Sequence, residues 1–474
     1  MKTRRIQVLL VLLIVVCAVT RAADCGNEPG KDTRPNFVIL LADDLGYGDL
    51  GCFGHPSIAT PRLDLMADEG QRWTDFYSTA CVCTPSRAAL MTGRFPVRNG
   101  MCSDRYRVLF SNSVGGLPRD EVTLAEALKD VGYATACIGK WHLGHLPQYL
   151  PDKQGFDYYF GIPYSNDMNR AANFPPGGRL SKGYLQAKSE YWTAPLMRGQ
   201  TVIEQPAEQS TITRRYTDET VRFIKQHRDE PFFVYLAHSM PHVPLFRSRE
   251  FVGKSRRGLY GDVIEEIDHS VGRVLDTLKE LKLDRRTLVV FTSDNGPWLT
   301  FQQQGGSAGL LREGKGCTWE GGMREPTVFW WPETIEPGVV NDMGCTMDIF
   351  TTCIKLAGAK LPEDRVIDGL DLAPRLLDKG PSPRDTMCYY RGTKLYALRH
   401  GPYKAHFITQ PAYGRGKTVA HDPPLLFHMG HDPSEKFDIS KEHPEIVARL
   451  TKLAAKHLKN TPVAKSQLES RIGK

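Results

Sequence analysis

The stretch "NFVILLADD", residues 36–44, runs through six apolar residues without a break and stops on two adjacent carboxylates. An apolar run with no polar alternation predicts a strand covered on both faces, as in a parallel sheet, rather than one with a wet side. Three further stretches repeat the pattern: "YATACIGKWH" (133–142), "PFFVYLAHSMPH" (231–242) and "RTLVVFTSDNG" (286–296). Helical patterns lie around them at Pro61–Asp68, Thr123–Lys129, Thr217–His227 and Tyr260–Lys282, with Thr60-Pro61 as a start signal and Gly70 and Gly132 as stops. Strands alternating with helices predict an α/β fold, a large mostly parallel sheet flanked by helices on both faces.

In an open α/β sheet, ligands collect at the carboxyl ends of the strands, and each of these four strands ends in reactive side chains. They are Asp43 and Asp44, Lys140 and His142, His238 and His242, and Asp294 and Asn295. Taken singly, each has an ordinary reading. Strand-end aspartates cap helices or form turns, Lys140 can lie along Trp141, and buried histidines are common. Two adjacent carboxylates, however, repel one another in a buried site unless a cation lies between them. Three carboxylates and an amide oxygen make a hard oxygen cage, which suits Ca²⁺, and less well Mg²⁺, rather than zinc. Lys315, in the glycine-rich "REGKGCTWEGG" (312–322), adds a cation where backbone can approach a ligand closely. Several cations aimed at one place imply an anionic substrate group.

"CVCTPSRAALMTGR" (81–94) opens like a helix, with Thr84 as cap, Pro85 in the first helical position and Gly93 as the stop. Cys83 then sits at the helix N-terminus, where free N–H groups and the helix dipole favour an anion, and Arg87 lies one turn on. A thiolate nucleophile is one use of such a cysteine, and a disulfide or a buried thiol are others. Cys81 and Cys83 cannot readily pair with each other across a single residue.

Lys2, Arg4, Arg5 and Arg21 carry four of the formal net charge of +7. They fall in "MKTRRIQVLLVLLIVVCAVTRA" (1–22), whose basic start, short apolar run and small residues near Ala22 and Ala23 read as a secretory signal peptide. The rest of the chain is nearly neutral and gives no reason to expect nucleic acid, or a membrane beyond the signal peptide, as partner. Export would allow disulfides, and ten of the eleven cysteines follow the signal segment, too scattered for a stapled small domain and leaving room for one or two bridges. No Asn-x-Ser/Thr sequon occurs, which favours a secreted or periplasmic bacterial protein over a glycosylated lysosomal one. After "DGLDLAPRLLDKGPSPRD" (368–385) the pattern shifts to short alternating pieces, "MCYYRG", "YALRHGPYKAHFIT" and "PLLFHMG", then a terminal helix around Glu445–Leu458. This predicts a catalytic domain over 34–378 and a smaller C-terminal domain of antiparallel strands plus a helix over 379–474.

At "CTPSRAALMTGR" the sequence resembles the sulfatase signature, and "LADDLGYGDLG", "GKWHLG", "SDNG" and "GKGCTWEGGMREP" look like further sulfatase motifs in the family's order. "GIPYSND" and "HDPPLLFHMGHDPSEKFDIS" look most like the arylsulfatase A branch, whereas "YYRG", "GPYKAHFIT" and "PLLFH" also resemble N-acetylgalactosamine-6-sulfatases. The resemblance implies an alkaline phosphatase-like sheet and oxidation of Cys83 by a formylglycine-generating maturation enzyme. The resulting aldehyde (3-oxoalanine) hydrates to a diol, one hydroxyl attacking sulfur and the other allowing sulfate to be expelled. It also implies Asp43, Asp44, Asp294 and Asn295 as Ca²⁺ ligands, with Arg87, Lys140 and His142 around the diol. Ser165, Lys140, His242 and Lys315 would hold the sulfate, His242 and Lys315 also assisting transfer. His238 matches no such motif, and arylsulfatase A members have His where this chain has Asn166. The expected substrate is a sulfated small molecule or glycan. Two other readings stay open on the residues alone, a metal-dependent phosphatase or phosphonate hydrolase of related fold and a sulfated-glycan binding protein with an unconverted cysteine.

Overall fold

The computed structural model describes residues 32–413 and 416–471, so the predicted signal peptide lies outside the described residues. Ten strands form the larger sheet: β1 (Asn36–Ala42), β2 (Gln71–Tyr77), β3 (Ala134–Gly139), β4 (Tyr158–Gly161), β5 (Leu196–Arg198), β6 (Thr201–Glu204), β7 (Phe232–Ala237), β8 (Thr287–Ser293), β9 (Thr327–Trp330) and β10 (Gly338–Cys345). Their order across the sheet is β10-β2-β9-β8-β1-β7-β3-β4-β5-β6. The four strands read from the sequence are neighbours, β8-β1-β7-β3, and all run parallel. Every residue of β1 is buried. Val38, Leu40 and Ala42 point into one layer with Val263, Ile267 and Val271 of the helix Gly258–Glu280, and Phe37, Ile39 and Leu41 into the other with Leu90, Leu124 and Ile349. Helices on both faces thus explain the unbroken apolar run.

The sheet is mixed with a parallel majority, five parallel pairings and four antiparallel ones. β9 runs against both β2 and β8, and β5 and β6 add an antiparallel hairpin at the far edge. A continuous apolar run such as Thr327–Trp330 reports burial on two faces and carries no information on strand direction.

The second sheet, β11 (Thr386–Arg391), β12 (Lys394–His400), β13 (Tyr403–Thr409) and β14 (Val419–His428), is antiparallel throughout. The helix Pro444–Lys459 packs on it through Val447, Leu450 and Ala454, against Leu398 and Ala405. A buried ionic cluster ties this sheet to the larger one: Arg399 of β12 bonds Asp75 of β2 at 2.6 Å, and Lys404 of β13 bonds Glu320 at 2.8 Å and Glu435 at 2.9 Å. All nine described cysteines are free thiols, so the room left for disulfides is not used among the described residues.

Candidate active site

The register of the four parallel strands brings their ends together. Ala42 is level with Ser293, Leu41 with Ala237, and Ala237 with Gly139. The residues that follow therefore emerge side by side, with Asp294 N donating to Ala42 O, His238 N to Leu41 O and Lys140 N to Ala237 O. Asp43, Asp44, Lys140, His142, His242, Asp294 and Asn295 are all buried there, and the helix that begins at Cys83 meets them from one side.

That helix spans Cys83–Thr92, so it starts earlier than predicted: Val82 is the extended residue before it, and Pro85 occupies the third helical position. Proline is tolerated throughout a first turn, where the N–H has no helical partner, and so did not mark the start. Thr84 is not the cap; its hydroxyl donates to His142 O at 3.0 Å and accepts from Leu109 N at 3.2 Å. Gly93 ends the helix with φ +65°, as expected.

Cys83 Sγ lies 3.5 Å from Asp43 Oδ1 and 3.5 Å from Lys315 Nζ. Lys140 Nζ bonds Asp43 at 2.6 Å, Lys315 Nζ bonds Asp44 at 2.7 Å, and Arg87 Nε bonds Asp294 at 2.8 Å. Burial would raise the Asp43 carboxyl, but the Lys140, Arg87 and Lys315 cations hold it well below the usual carboxylate range. Burial, and then the neighbouring Asp43 and Asp294, push Asp44 up to about 7 despite Lys315. Lys315 itself is burdened by burial yet shifted upward by Asp44, so it keeps its proton. The Cys83 thiol is pushed well above its ordinary value by burial, which outweighs Lys140 and Lys315. Burial beside carboxylates thus weighs against a thiolate at the unmodified residue, and the helix N-terminus and Arg87 work in the other direction.

The two histidines have assignable faces. His142, with φ +62°, places Nε2 2.9 Å from Leu109 O, so Nε2 carries the proton and Nδ1, which has no partner, presents a lone pair. His242 Nδ1 lies 2.6 Å from Val243 O and 3.1 Å from Asn166 Oδ1, which leaves Nε2 bare, 3.3 Å from Ser165 Oγ and 3.6 Å from Asp44 Oδ2. Burial, with Lys140 beside one and Lys315 beside the other, holds both well below the ordinary histidine value. Ser165 also accepts from Lys140 Nζ at 3.4 Å. Asn166 is spent on Gln209, Pro244 and His242, so it touches the imidazole and does not line the cavity. His238 points away, its Nε2 3.4 Å from Ser270 Oγ, and burial lowers it to about 4.

Ligand atoms of Asp43, Asp44, Cys83 and His242 lie within 4.8 Å of one another, a grouping able to hold a metal ion. Asn295 and Asp294 adjoin it: Asn295 Nδ2 donates to Asp44 Oδ1 at 2.8 Å, and Asp294 Oδ1 accepts from Asp44 N at 3.2 Å. Asn295 Oδ1 is buried without a hydrogen-bond partner, and so is Arg87 Nη2, which faces Asp43 at 3.6 Å. An orphaned amide oxygen beside crowded carboxylates fits a hard cation.

Cys83, His142, Ser165, His242 and Lys315 face a cavity of about 390 Å³. Several of its walls were missed in the sequence. Trp298 lies under Lys315 Nζ at 4.4 Å, while Asp167, Arg107, Arg170, Arg179 and Tyr413 complete the opening. The polar "YSND" after β4 carried a signal for Asp167; the arginines lie in loops with no periodicity to mark them.

A family model described as "Sulfatase" matches residues 35–359, and one described as "C-terminal region of aryl-sulfatase" matches 382–472. The chain is 42% identical to arylsulfatase A of Homo sapiens, covering 92% of this chain and 89% of that one. It is 40% identical to N-acetylgalactosamine-6-sulfatase of Mus musculus, covering 96% and 91%. Among solved structures, PsFucS1 sulfatase from Pseudoalteromonas sp. superposes with a TM-score of 0.80 at 31% identity, covering 91% of this chain and 92% of that one.

Proposed function

The chain belongs to the sulfatase family, hydrolases of sulfate esters, and on that premise we propose that it cleaves sulfate monoesters of carbohydrates, and of phenols as small surrogates, through a hydrated formylglycine made from Cys83. Ca²⁺ would be held by Asp43, Asp44, Asp294 and Asn295, where Asn295 Oδ1 awaits a partner. The observation that carries the reading is the position of Cys83 Sγ, 3.5 Å from both Asp43 and Lys315 in a cavity lined by cations. Relatives named for N-acetylgalactosamine 6-sulfate support a sugar ester as the natural class.

When present, the hydrated aldehyde supplies a hydroxyl to attack sulfur and a second to release the product, and the cation lowers the cost of charge around them. The protein's own groups do the rest. Arg87, Lys140 and Lys315 offset the ester's negative charge, and their pull strengthens as charge moves to the leaving oxygen. Ser165 orients a sulfonate oxygen between Lys140 and His242. His142 Nδ1, deprotonated and facing the cavity, accepts the proton of the second hydroxyl. Lys315 donates to the leaving oxygen, and His242, charged once the anion is bound, delivers the proton that a sugar alcohol needs. A phenol, of pKa about 10, leaves with less help.

The same reading makes residues 1–22 a signal peptide and the protein secreted or periplasmic, matured by a formylglycine-generating enzyme, with the catalytic part ending near 378. No helix among the described residues is long and apolar enough to cross a membrane. Mass spectrometry of the peptide containing Cys83, paired with turnover of nitrophenyl sulfate and nitrophenyl phosphate before and after chelation, tests it. Aldehyde at Cys83 and Ca²⁺-restored sulfate turnover are expected. An unconverted cysteine in protein from the native host, or faster phosphate turnover, overturns it.

A further inference from the structure

A second cavity, of about 270 Å³, adjoins the first on the side of the antiparallel sheet, and the two share Arg107 and Tyr413 as a common wall. Its lining includes Arg391, Lys394, Tyr390 and Tyr396. Arg107 lies over the Tyr413 ring at 4.0 Å, and Arg391 donates from Nε to the backbone carbonyl of Gly316 at 2.9 Å, with the Tyr396 hydroxyl beside it. None of Arg107, Arg391 and Lys394 has a carboxylate within ion-pair distance among the described residues. Asp104 also lines this cavity, and both of its oxygens are taken by Thr393. A third cavity shows that basic lining alone is not the point: Arg324, Arg384 and Arg399 border it, and each is already paired with Asp75 or Asp348.

Cations left without anions beside aromatic faces, next door to a site for a sulfate ester, call for an anionic sugar. Resting on the reading of the site above, we propose that this second cavity binds a further anionic group, a sulfate or a carboxylate, on the same glycan, whose chain crosses the Arg107–Tyr413 wall. The protein would then prefer oligosaccharides carrying a second negative charge over neutral ones bearing the same scissile ester.

Three matched trisaccharides test this, each with one terminal sulfate ester and, on the internal sugar, a second sulfate, a uronate carboxylate or no charge; nitrophenyl sulfate is the common reference. Wild type should show kcat/KM roughly ten-fold higher on a charged than on the neutral trisaccharide, the size of one charge-assisted hydrogen bond. Lys394→Glu, at an exposed position, and Arg391→Gln should each shrink that ratio, mainly through KM. Which charged sugar is preferred tells sulfate from carboxylate. Equal kcat/KM on all three, or a preference untouched by both variants, overturns the second cavity's role while hydrolysis of nitrophenyl sulfate leaves the reading of the site standing. No hydrolysis of any ester by protein whose Cys83 is verified as the aldehyde overturns both.

Discussion

Two buried ionic clusters in this protein have the same inventory, three acids and three bases. At the strand ends they are Asp43, Asp44 and Asp294 with Arg87, Lys140 and Lys315; between the sheets they are Asp75, Glu320 and Glu435 with Arg324, Arg399 and Lys404. Between the sheets, acids and bases are interleaved. Burial would raise Glu320, but Lys404, Arg324 and Arg399 hold it at about 2, and Tyr389 and Tyr77 donate to the same carboxylate. At the strand ends the carboxylates crowd one another, Asp44 rises to about 7, and Arg87 Nη2, His142 Nδ1 and Asn295 Oδ1 have no hydrogen-bond partner, Arg87 Nη2 standing 3.6 Å from Asp43. Among the polar atoms of those six acids and bases between the sheets none is orphaned, although Nδ1 of His406, whose Nε2 lies 2.7 Å from Glu435, has no hydrogen-bond partner; the strand-end cluster is built for charges that arrive later. Orphaned atoms on the charged groups and their amide neighbour, rather than charge itself, separate a site from a rivet.

The strongest way to break this contrast is at the centre of the incomplete cluster. Cys83→Ala should lower turnover of nitrophenyl sulfate by roughly 10⁴-fold or more, the scale of losing a nucleophile. Cys83→Ser should take up one sulfate per chain and stall, which intact-mass spectrometry reads; repeated turnover by the serine variant would refute the role given to the second hydroxyl.

Next comes a matched pair of lysines. Lys404→Met leaves Glu320 and Glu435 short of a cation and should cost about 3–5 kcal/mol in denaturant unfolding. Lys140→Met should instead cost roughly 10²–10³-fold in kcat and much less stability, because Asp43 retains Arg87 at 3.6 Å. Equal stability losses would erase the distinction between the clusters.

A buried group outside both gives a smaller, pH-dependent effect. His238 titrates at about 4 in the fold against 6.5 in the unfolded chain. The unfolded state then binds more protons between those values, so stability is fully present above pH 6.5 and falls as pH drops toward 4, by about 3 kcal/mol. The slope of melting temperature against pH in this window should flatten in His238→Phe. The smallest effect is expected at Asn166, whose Oδ1 accepts from His242 Nδ1 at 3.1 Å. Asn166→Ala removes one hydrogen bond that orients the imidazole and should lower kcat by less than about ten-fold, more on sugar esters than on nitrophenyl sulfate.

Much of the site was legible because strand burial and strand termination are local. "NFVILLADD" shows both in nine residues, and its three counterparts show the same, so the carboxyl-end cluster follows from the sequence. Asn166 was noted only as a departure from relatives; its contact with His242 depends on residues 76 positions apart. Arg107, Arg179 and Trp298 gave no warning, since loop residues carry no period.

The amino-acid order by itself determined which strands are buried on both faces and which polar groups stand at their ends, because the period and the stop of each strand are written within it. Only the tertiary structure decided that β9 runs backward, that Cys83 is buried between Asp43 and Lys315, which nitrogen of His142 and of His242 carries the proton, and that acids and bases are interleaved in one ionic cluster and crowded in the other. Those outcomes depend on desolvation and on partners brought from distant segments, and neither quantity exists until the chain has packed.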